Sequence, residues 1–180
     1  MDIHISQAIS DDALAIAMLH ADSWRAHYVG ILPADYLANE ACAERAAYWT
    51  SALRADDYFL VLLARHEDEP VAFIAVKRNV DDGYDATIEH LHVAQSMKGR
   101  GLGRQLIGQT AHQLADCGVK SVCLWVFEDN RPAIGFYESL GGVTDAHGTD
   151  KFAGGDARDR RIGWKDLGAL LAASTEGVKS

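Results

Sequence analysis

The segment between residues 85 and 127 constrains the fold more than any other part of the sequence. The run DATIEHLHV at 85–93 alternates apolar and polar residues as a half-buried strand does. A helical apolar repeat begins at Gly101, and the compact apolar run SVCLWVF at 121–127 follows it. A strand, a helix of this length and a second strand make a βαβ unit, so the two strands are expected to be parallel neighbours in one sheet.

The helix of this unit is predicted over 101–117. Its apolar positions recur every three or four residues, and they are Leu102, Leu106, Ile107, Thr110 and Leu114. Gly118 follows the last of them, at the place where glycine commonly ends a helix in the left-handed conformation.

The remaining elements follow from the same two periodicities. Strands are predicted at 3–9, 58–65, 71–78, 141–148 and 160–167, and helices at 10–28, 34–54 and 130–142. On the first helix, Leu14, Met18 and Leu19 are expected to face the core, and Ser10 to cap the N-terminus. The order predicts an α/β (α+β) fold, with one mixed, largely antiparallel central sheet flanked by helices.

Charge and cysteine content exclude several classes of protein. The 180 residues carry 26 acidic against 17 basic side chains, a formal net charge of −9, which disfavours nucleic acid and anionic membranes as partners. The three cysteines lack metal-ligand spacing and suit free thiols, and neither a signal peptide nor a membrane-spanning apolar run is evident. We therefore expect a cytoplasmic protein, with a single domain over 1–168 and a C-terminal tail over 169–180.

The stretch MKGRGLGRQL at 97–106 places three glycines before the helix and surrounds them with Lys98, Arg100 and Arg104. Backbone N–H groups of such a turn and of the helix N-terminus bind anions, whereas the same glycines also suit a plain loop that needs positive φ. The stretch has neither the lysine of a P-loop nor the third glycine of a dinucleotide fingerprint. A nucleotide-phosphate binder is the weaker alternative.

With its flanks, this stretch (LHVAQSMKGRGLGRQLI) resembles the acetyl-CoA signature of the GNAT superfamily of N-acetyltransferases. In that signature a strand and a loop precede (Gln/Arg)-x-x-Gly-x-(Gly/Ala) at a helix start, positions held here by Lys98, Gly101 and Gly103. The second signature of the family is resembled by the stretch NRPAIGFYESLGG. The first helices of many members are resembled by the stretch SWRAHYVGILP. Together the resemblance covers about residues 3–166. Two departures are Lys98 in place of Gln or Arg, and the absence of the usual proline at Ala94–Gln95.

The resemblance implies transfer of an acetyl group from acetyl-CoA to a primary amine of a small molecule or peptide, by direct attack in a ternary complex. It places the CoA pyrophosphate on the N–H groups of 99–104 and the pantetheine arm along Leu91 and Val93. The implied CoA contacts are Leu91, His92, Val93, Lys98, Gly99, Arg100, Gly101, Leu102, Gly103, Arg104, Asn130, Ala133 and Tyr137. No metal is implied, and a homodimer is compatible with the resemblance.

Two proton transfers accompany such a reaction, since the amine must lose a proton and the thiolate must gain one. Tyr137 matches the acid of the family, whereas Asn130 can be either a CoA contact or a helix cap. Glu89 is the predicted base, because a carboxylate beside a buried cleft titrates closer to neutral pH. His90 and His92, on the opposite face of the strand, are alternative bases. Their spacing also suits a metal, but no third ligand is evident.

The acceptor itself is not identified by the sequence. Trp24 and Tyr28 are expected to contact it, because aromatic rings can surround an amine through cation–π contacts, although they can equally pack the helix. The loops at 30–32 and 147–158 are the other expected specificity walls. An acidic protein mildly favours a cationic acceptor. The alternative function is a catalytically silent acyl-CoA-binding regulatory module on the same fold.

Overall fold

In the computed structural model of the chain, residues 2–27, 34–150 and 157–175 are described. The strands are β1 Ile3–Gln7, β2 Leu60–His66, β3 Glu69–Arg78, β4 Ala86–Val93, β5 Val122–Phe127, β6 Val143–Asp150 and β7 Ala157–Trp164. The helices are α1 Ala13–His27, α2 Ala41–Arg54, α3 Leu102–Asp116, α4 Arg131–Glu138 and α5 Leu167–Thr175. The strands form one sheet in the order β1-β2-β3-β4-β5-β7-β6. This mixed, mostly antiparallel sheet with flanking helices confirms the predicted fold class.

The predicted parallel pairing of β4 with β5 is confirmed. Their register consists of two residue pairs at the start of β4: Ala86 with Val122, and Thr87 with Cys123. Just before β4, the carboxylate of Asp85 accepts hydrogen bonds from the backbone N–H groups of Lys120 (2.8 Å) and Ser121 (3.1 Å). These bonds lower the pKa of Asp85, since they stabilise its charged form. The parallel pairing of β4 with β5 is therefore short, and the hydrogen bonds of Asp85 stabilise it at the start of β4.

Helix α3 has the buried face that its sequence predicts. All five predicted positions are at most 3% exposed: Leu102, Leu106, Ile107, Thr110 and Leu114. Gly118 has a φ of +77°, and the next N–H, that of Val119, donates to the carbonyl of Leu114 at 3.0 Å. The helix therefore ends in the left-handed glycine turn that was predicted.

The predicted core face of α1 is wrong at two of its three positions, whereas Leu19 is partly buried and packs against the core. Leu14 and Met18 are 58% and 53% exposed. The buried positions are Ala13, Ile16, Ala17, His20, Ala21 and Trp24. Small alanine side chains let the helix approach its neighbours closely, and a search for large apolar residues overlooks them. The predicted cap at Ser10 is also wrong, because the chain makes a 3₁₀ turn there and Asp12 accepts the N–H of Ile9 at 2.9 Å.

Two further differences concern element boundaries. The predicted helix at 34–54 contains a π-helical turn, Tyr36–Glu40, before α2 begins at Ala41. Part of the expected tail forms α5, Leu167–Thr175, whose Leu167 and Leu170 are buried.

Contacts divide the chain into two compact units, Met1–Ala75 with His90–Leu106, and Val76–Glu89 with Ile107–Ser180. The core of the first unit is built around the fully buried Trp49 and Phe73. The single-domain boundary predicted from the sequence stays a prediction. Within the part of the chain that the structure describes, no helix is long and apolar enough to cross a membrane.

Candidate active site

The loop between β4 and α3 adopts a conformation that requires glycine. After a 3₁₀ turn at Gln95–Met97, Gly99 has a φ of +74° and Gly101 a φ of +80°. A Cβ built on either glycine meets no atom within 4 Å, so crowding is not the reason for glycine. The reason is the left-handed backbone, which other residues adopt only with strain. This geometry brings the chain directly into the first turn of α3.

The N-terminus of α3 lies at the protein surface. Gly101 is exposed, and its carbonyl accepts the first bond of the helix, from the N–H of Gln105 at 3.0 Å. The N–H groups of the preceding positions have no partner within the helix, as at every helix start. Lys98 and Arg100 are exposed and Arg104 is half-buried, so three cationic side chains flank these donors. Such an arrangement attracts a phosphate group.

Strand β4 separates its candidate residues onto two faces. Glu89, Leu91 and Val93 alternate with His90 and His92 along the strand. Leu91 and Val93 are half-buried, whereas Glu89 is exposed. Partial desolvation of the carboxyl group by neighbouring atoms nevertheless raises the pKa of Glu89. The positive charge of Lys77 lowers this pKa, and the negative charge of Asp81 raises it further. A raised pKa is the direction that a carboxylate base needs.

Helix α4 carries the predicted acid. Tyr137 is 8% exposed and packs edge-on against Trp164, with ring centroids 6.3 Å apart. Burial raises the pKa of its hydroxyl above the ordinary value, so the group is protonated at neutral pH. Within the described part of the chain, that hydroxyl makes no hydrogen bond. Asn130 caps this helix, because its Oδ1 accepts the N–H of Ala133 at 3.3 Å.

The structure adds a third histidine to the pair on β4. His20 of α1 lies beside both, with ring centroids 4.7 Å from His90 and 4.8 Å from His92. One nitrogen of each ring lies within 4.8 Å of the others. This third candidate ligand is not evident from the sequence, because His20 is far from His90 and His92 in the chain. The sequence signal was its spacing from Ile16 and Trp24 on the buried face of α1.

A hydrogen bond to a neighbouring side chain anchors each ring of this histidine cluster. The indole N–H of Trp49 donates to Nδ1 of His20 at 3.1 Å. Nδ1 of His92 bonds the hydroxyl of Ser23 at 2.7 Å, and Nε2 of His90 bonds the hydroxyl of Tyr58 at 3.1 Å. His20 is 2% exposed. Burial lowers its pKa far below the ordinary value, and repulsion from His92, His90 and Arg45 lowers it further.

The bond from Trp49 disfavours a metal at this cluster. An indole N–H can only donate, so Nδ1 of His20 is the acceptor and the ring proton of the neutral imidazole is on Nε2. A metal on Nε2 would have to displace that proton, and a metal on Nδ1 would have to displace Trp49. Metal-binding histidines instead donate from their second nitrogen to an acceptor. The distances suit a metal, but the donor pattern does not.

The expected acceptor contacts are only partly described. Trp24 is 9% exposed and packs edge-on against His20, with ring centroids 5.1 Å apart. The guanidinium of Arg45 lies over its ring, with Cζ 4.6 Å from the centroid, and also 4.7 Å from the ring centroid of Tyr48. The cation–π partner of Trp24 is therefore a residue of the protein itself. Tyr28 lies outside the described residues, as do 30–32 and half of 147–158.

The model of the acetyltransferase (GNAT) family matches residues 16–142. The N-acetyltransferase YuaI of Bacillus subtilis (strain 168) is 31% identical over 172 residues, which cover 93% of this chain and 96% of that protein. The PaiA N-acetyltransferase from Thermoplasma acidophilum, solved with coenzyme A, has a TM-score of 0.73 at 18% identity, covering 91% of this chain and 100% of that one. The yncA protein from Salmonella typhimurium, solved with acetyl-CoA, has a TM-score of 0.65 at 20% identity, covering 93% and 95%.

The described fold is therefore shared with these two solved acetyltransferases. The family match extends over more than half of the sequence and includes this turn. The chain belongs to the acetyltransferase (GNAT) family.

Proposed function

We propose that the protein transfers an acetyl group from acetyl-CoA to a primary amine of a small molecule or peptide, by direct attack in a ternary complex. The observation that carries the proposal is the loop before α3, where Gly99 and Gly101 adopt positive φ next to an exposed helix N-terminus. Family membership supports the reaction class. Two similar structures hold coenzyme A or acetyl-CoA, which supports the donor.

The pyrophosphate of CoA is proposed to rest on the backbone N–H groups of residues 99–104. Donors at a helix start carry part of the positive end of the helix dipole. Lys98, Arg100 and Arg104 add positive charge in a protein whose net charge is −9. The loop therefore differs in sign from the protein as a whole, which favours an anion at this place.

The pantetheine arm is proposed to lie along β4 and to exchange hydrogen bonds with the backbone of Leu91 and Val93. Alternate residues of a strand direct their backbone groups to the same edge. His92 directs its backbone to the other edge and bonds Ser23 through its ring, so it is the least supported of the proposed CoA contacts on β4. Ala133 donates its N–H to Asn130, so any contact of Ala133 with CoA uses other atoms.

Tyr137 is proposed as the acid that protonates the departing thiolate. Its raised pKa keeps the proton in place until it is needed. Transfer from so weak an acid is feasible where the thiolate is also removed from water, since desolvation raises the basicity of the sulfur as well. For the base, β4 offers Glu89 on one face and His90 and His92 on the other.

Binding and turnover test this proposal separately. Acetyl-CoA at about 100 times its Kd should stabilise the protein by about 2.7 kcal/mol, or roughly 5–10 °C in Tm for a chain of this size. ATP and NAD at the same concentration serve as controls. A panel of primary amines that includes polyamines, aminoglycosides, amino acids and peptide N-termini is then screened by release of the CoA thiol. Mass spectrometry identifies the acetylated product.

Three outcomes are informative. Stabilisation by acetyl-CoA together with one acetylated amine supports the enzyme. Stabilisation without turnover of any amine favours the silent CoA-binding module. Stronger stabilisation by ATP or NAD than by acetyl-CoA contradicts the proposed donor.

A further inference from the structure

We propose that the hydrogen bond between His20 and Trp49 is a pH-sensitive switch, which holds α1 against α2 at neutral pH and releases it in acid. His20 has one nitrogen that can take up a proton, and that nitrogen already accepts a hydrogen bond inside the core. The proposal concerns the conformation of the first unit and does not depend on the proposed acetyl transfer.

The ring of His20 lies inside the core of the first unit. It is 2% exposed and contacts the aromatic rings of Trp24 from α1, Trp49 from α2 and Phe73 from β3. The centroids of these three rings are 5.1, 6.0 and 5.9 Å from that of His20. Water therefore cannot solvate a charge on the ring of His20 while the unit stays closed.

The bond from Trp49 decides where an added proton has to go. The indole N–H donates to Nδ1 of His20 at 3.1 Å, so the proton of the neutral ring is on Nε2. A second proton can only be added at Nδ1, toward which the indole N–H already points. Because two N–H groups cannot bond to each other, protonation of His20 breaks its hydrogen bond with Trp49. The contact between α1 and α2 is therefore weakened exactly where the charge appears.

The charged and titratable groups that face His20 strengthen this effect. They are His90 and His92 of β4, with ring centroids 4.7 and 4.8 Å away, and Arg45 of α2, which is paired with Glu44 at 2.7 Å. The two histidines and the arginine repel a positive charge on His20. Burial, followed by this repulsion, lowers the pKa of His20 far below its ordinary value.

The direction of the pH effect follows from comparing the closed and the open unit. In the open unit the ring is solvated and takes up a proton below its ordinary pKa of 6.5, whereas in the closed unit it stays neutral. The closed unit therefore keeps its full stability above that pH. Below it, opening becomes about tenfold more favourable for each pH unit, or roughly thirtyfold between pH 7.5 and pH 5.

Hydrogen exchange at the indole N–H of Trp49 measures this opening in the unmodified protein. The matched reference is Trp164 of the second unit, which is also buried and donates its indole N–H to the backbone carbonyl of Leu140 at 2.9 Å. A backbone carbonyl does not titrate in this range. From pH 7.5 to pH 5, the protection factor of Trp49 should fall roughly thirtyfold, and that of Trp164 by less than about threefold. A return to pH 7.5 should restore the protection of Trp49.

A substitution that removes only the titration gives a second test. In His20→Asn, the side-chain Oδ1 takes the place of Nδ1 and can accept the N–H of Trp49, but it does not take up a proton. The same substitution at His112, an exposed residue of α3, is the matched control. Urea unfolding gives the unfolding equilibrium constant of each protein at pH 5 and at pH 7.5. The ratio of the two constants should be roughly tenfold to thirtyfold smaller in His20→Asn than in the parent, and His112→Asn should keep the parent ratio.

Two results would overturn the proposal. If the protection factor of Trp49 changes with pH no more than that of Trp164, the bond to His20 is not sensitive to acid. If His20→Asn keeps the parent ratio of unfolding constants, the proton that opens the unit is not taken up by His20. The exchange measurement needs no variant, so it decides the proposal when His20→Asn does not fold. Neither result bears on the acetyl transfer, which binding of acetyl-CoA and turnover of an amine test separately.

Discussion

Alanine at Gly101 and alanine at Gly118 form a matched pair that tests the anion-binding role of the loop. The two glycines have nearly equal φ, +80° and +77°, and a Cβ on either meets no atom within 4 Å. The cost of each substitution is therefore backbone strain alone, about 1–2 kcal/mol for a left-handed L-residue. For a chain of this length, that corresponds to a loss of roughly 2–8 °C in Tm. We expect equal losses in the two variants.

Binding of acetyl-CoA should separate the two variants. In Gly101→Ala, the added methyl group covers the N–H groups at the start of α3 and keeps a bound pyrophosphate away from them. Hydrogen bonds to a charged group contribute about 1.5–3 kcal/mol each, so the loss of one weakens binding by at least about tenfold. Gly118 lies at the other end of α3, and Gly118→Ala should leave the Kd within roughly twofold.

Calorimetry measures both quantities, with scanning for Tm and titration with acetyl-CoA for Kd. Free CoA is titrated as well, because the pyrophosphate contact does not depend on the acetyl group. An equal Kd in the two variants, accompanied by equal losses in Tm, would refute the placement of the pyrophosphate on this loop. An unequal Tm loss would show that strain is not the only cost.

Three further predictions concern other residues. Tyr137→Phe should lower kcat by about 10²–10⁴ in the thiol-release assay and change Tm little, whereas parental activity would refute the acid assignment. Asp85→Asn should lower Tm at pH 7 and should lower it less at pH 3. The reason is that the hydrogen bond from the N–H of Lys120 lowers the pKa of Asp85 in the folded protein. The ionised carboxylate therefore stabilises the fold above the ordinary pKa of 3.8, and this contribution is lost as pH falls further. An equal decrease in Tm at both pH values would contradict this. Gly163→Ala places a Cβ 1.9 Å from the hydroxyl of Tyr84, and should destabilise by at least the 1–3 kcal/mol typical of overpacking, measured by urea unfolding.

Features that depend on neighbouring residues were predicted well. The parallel pairing of β4 and β5 followed from the length of the crossover. The cap at Asn130, the positive φ of Gly118 and the buried face of α3 followed from local spacing. Two of the three core positions predicted on α1, Leu14 and Met18, were wrong, because periodicity alone could not decide between large apolar residues and a row of small ones packed closely.

The sequence by itself determined that a glycine turn with positive charge precedes a helix, and hence the family and the candidate anion site. It also placed two histidines on one face of β4. Only the tertiary structure decided that His20 joins them and that Trp49 holds its proton on Nε2. The physical reason is the distance along the chain over which each effect acts. Periodicity and turn chemistry depend on residues close in sequence, whereas the contact of α1 with β4 depends on how the whole unit packs. The proton state of a ring is decided by the partner that such packing brings to it.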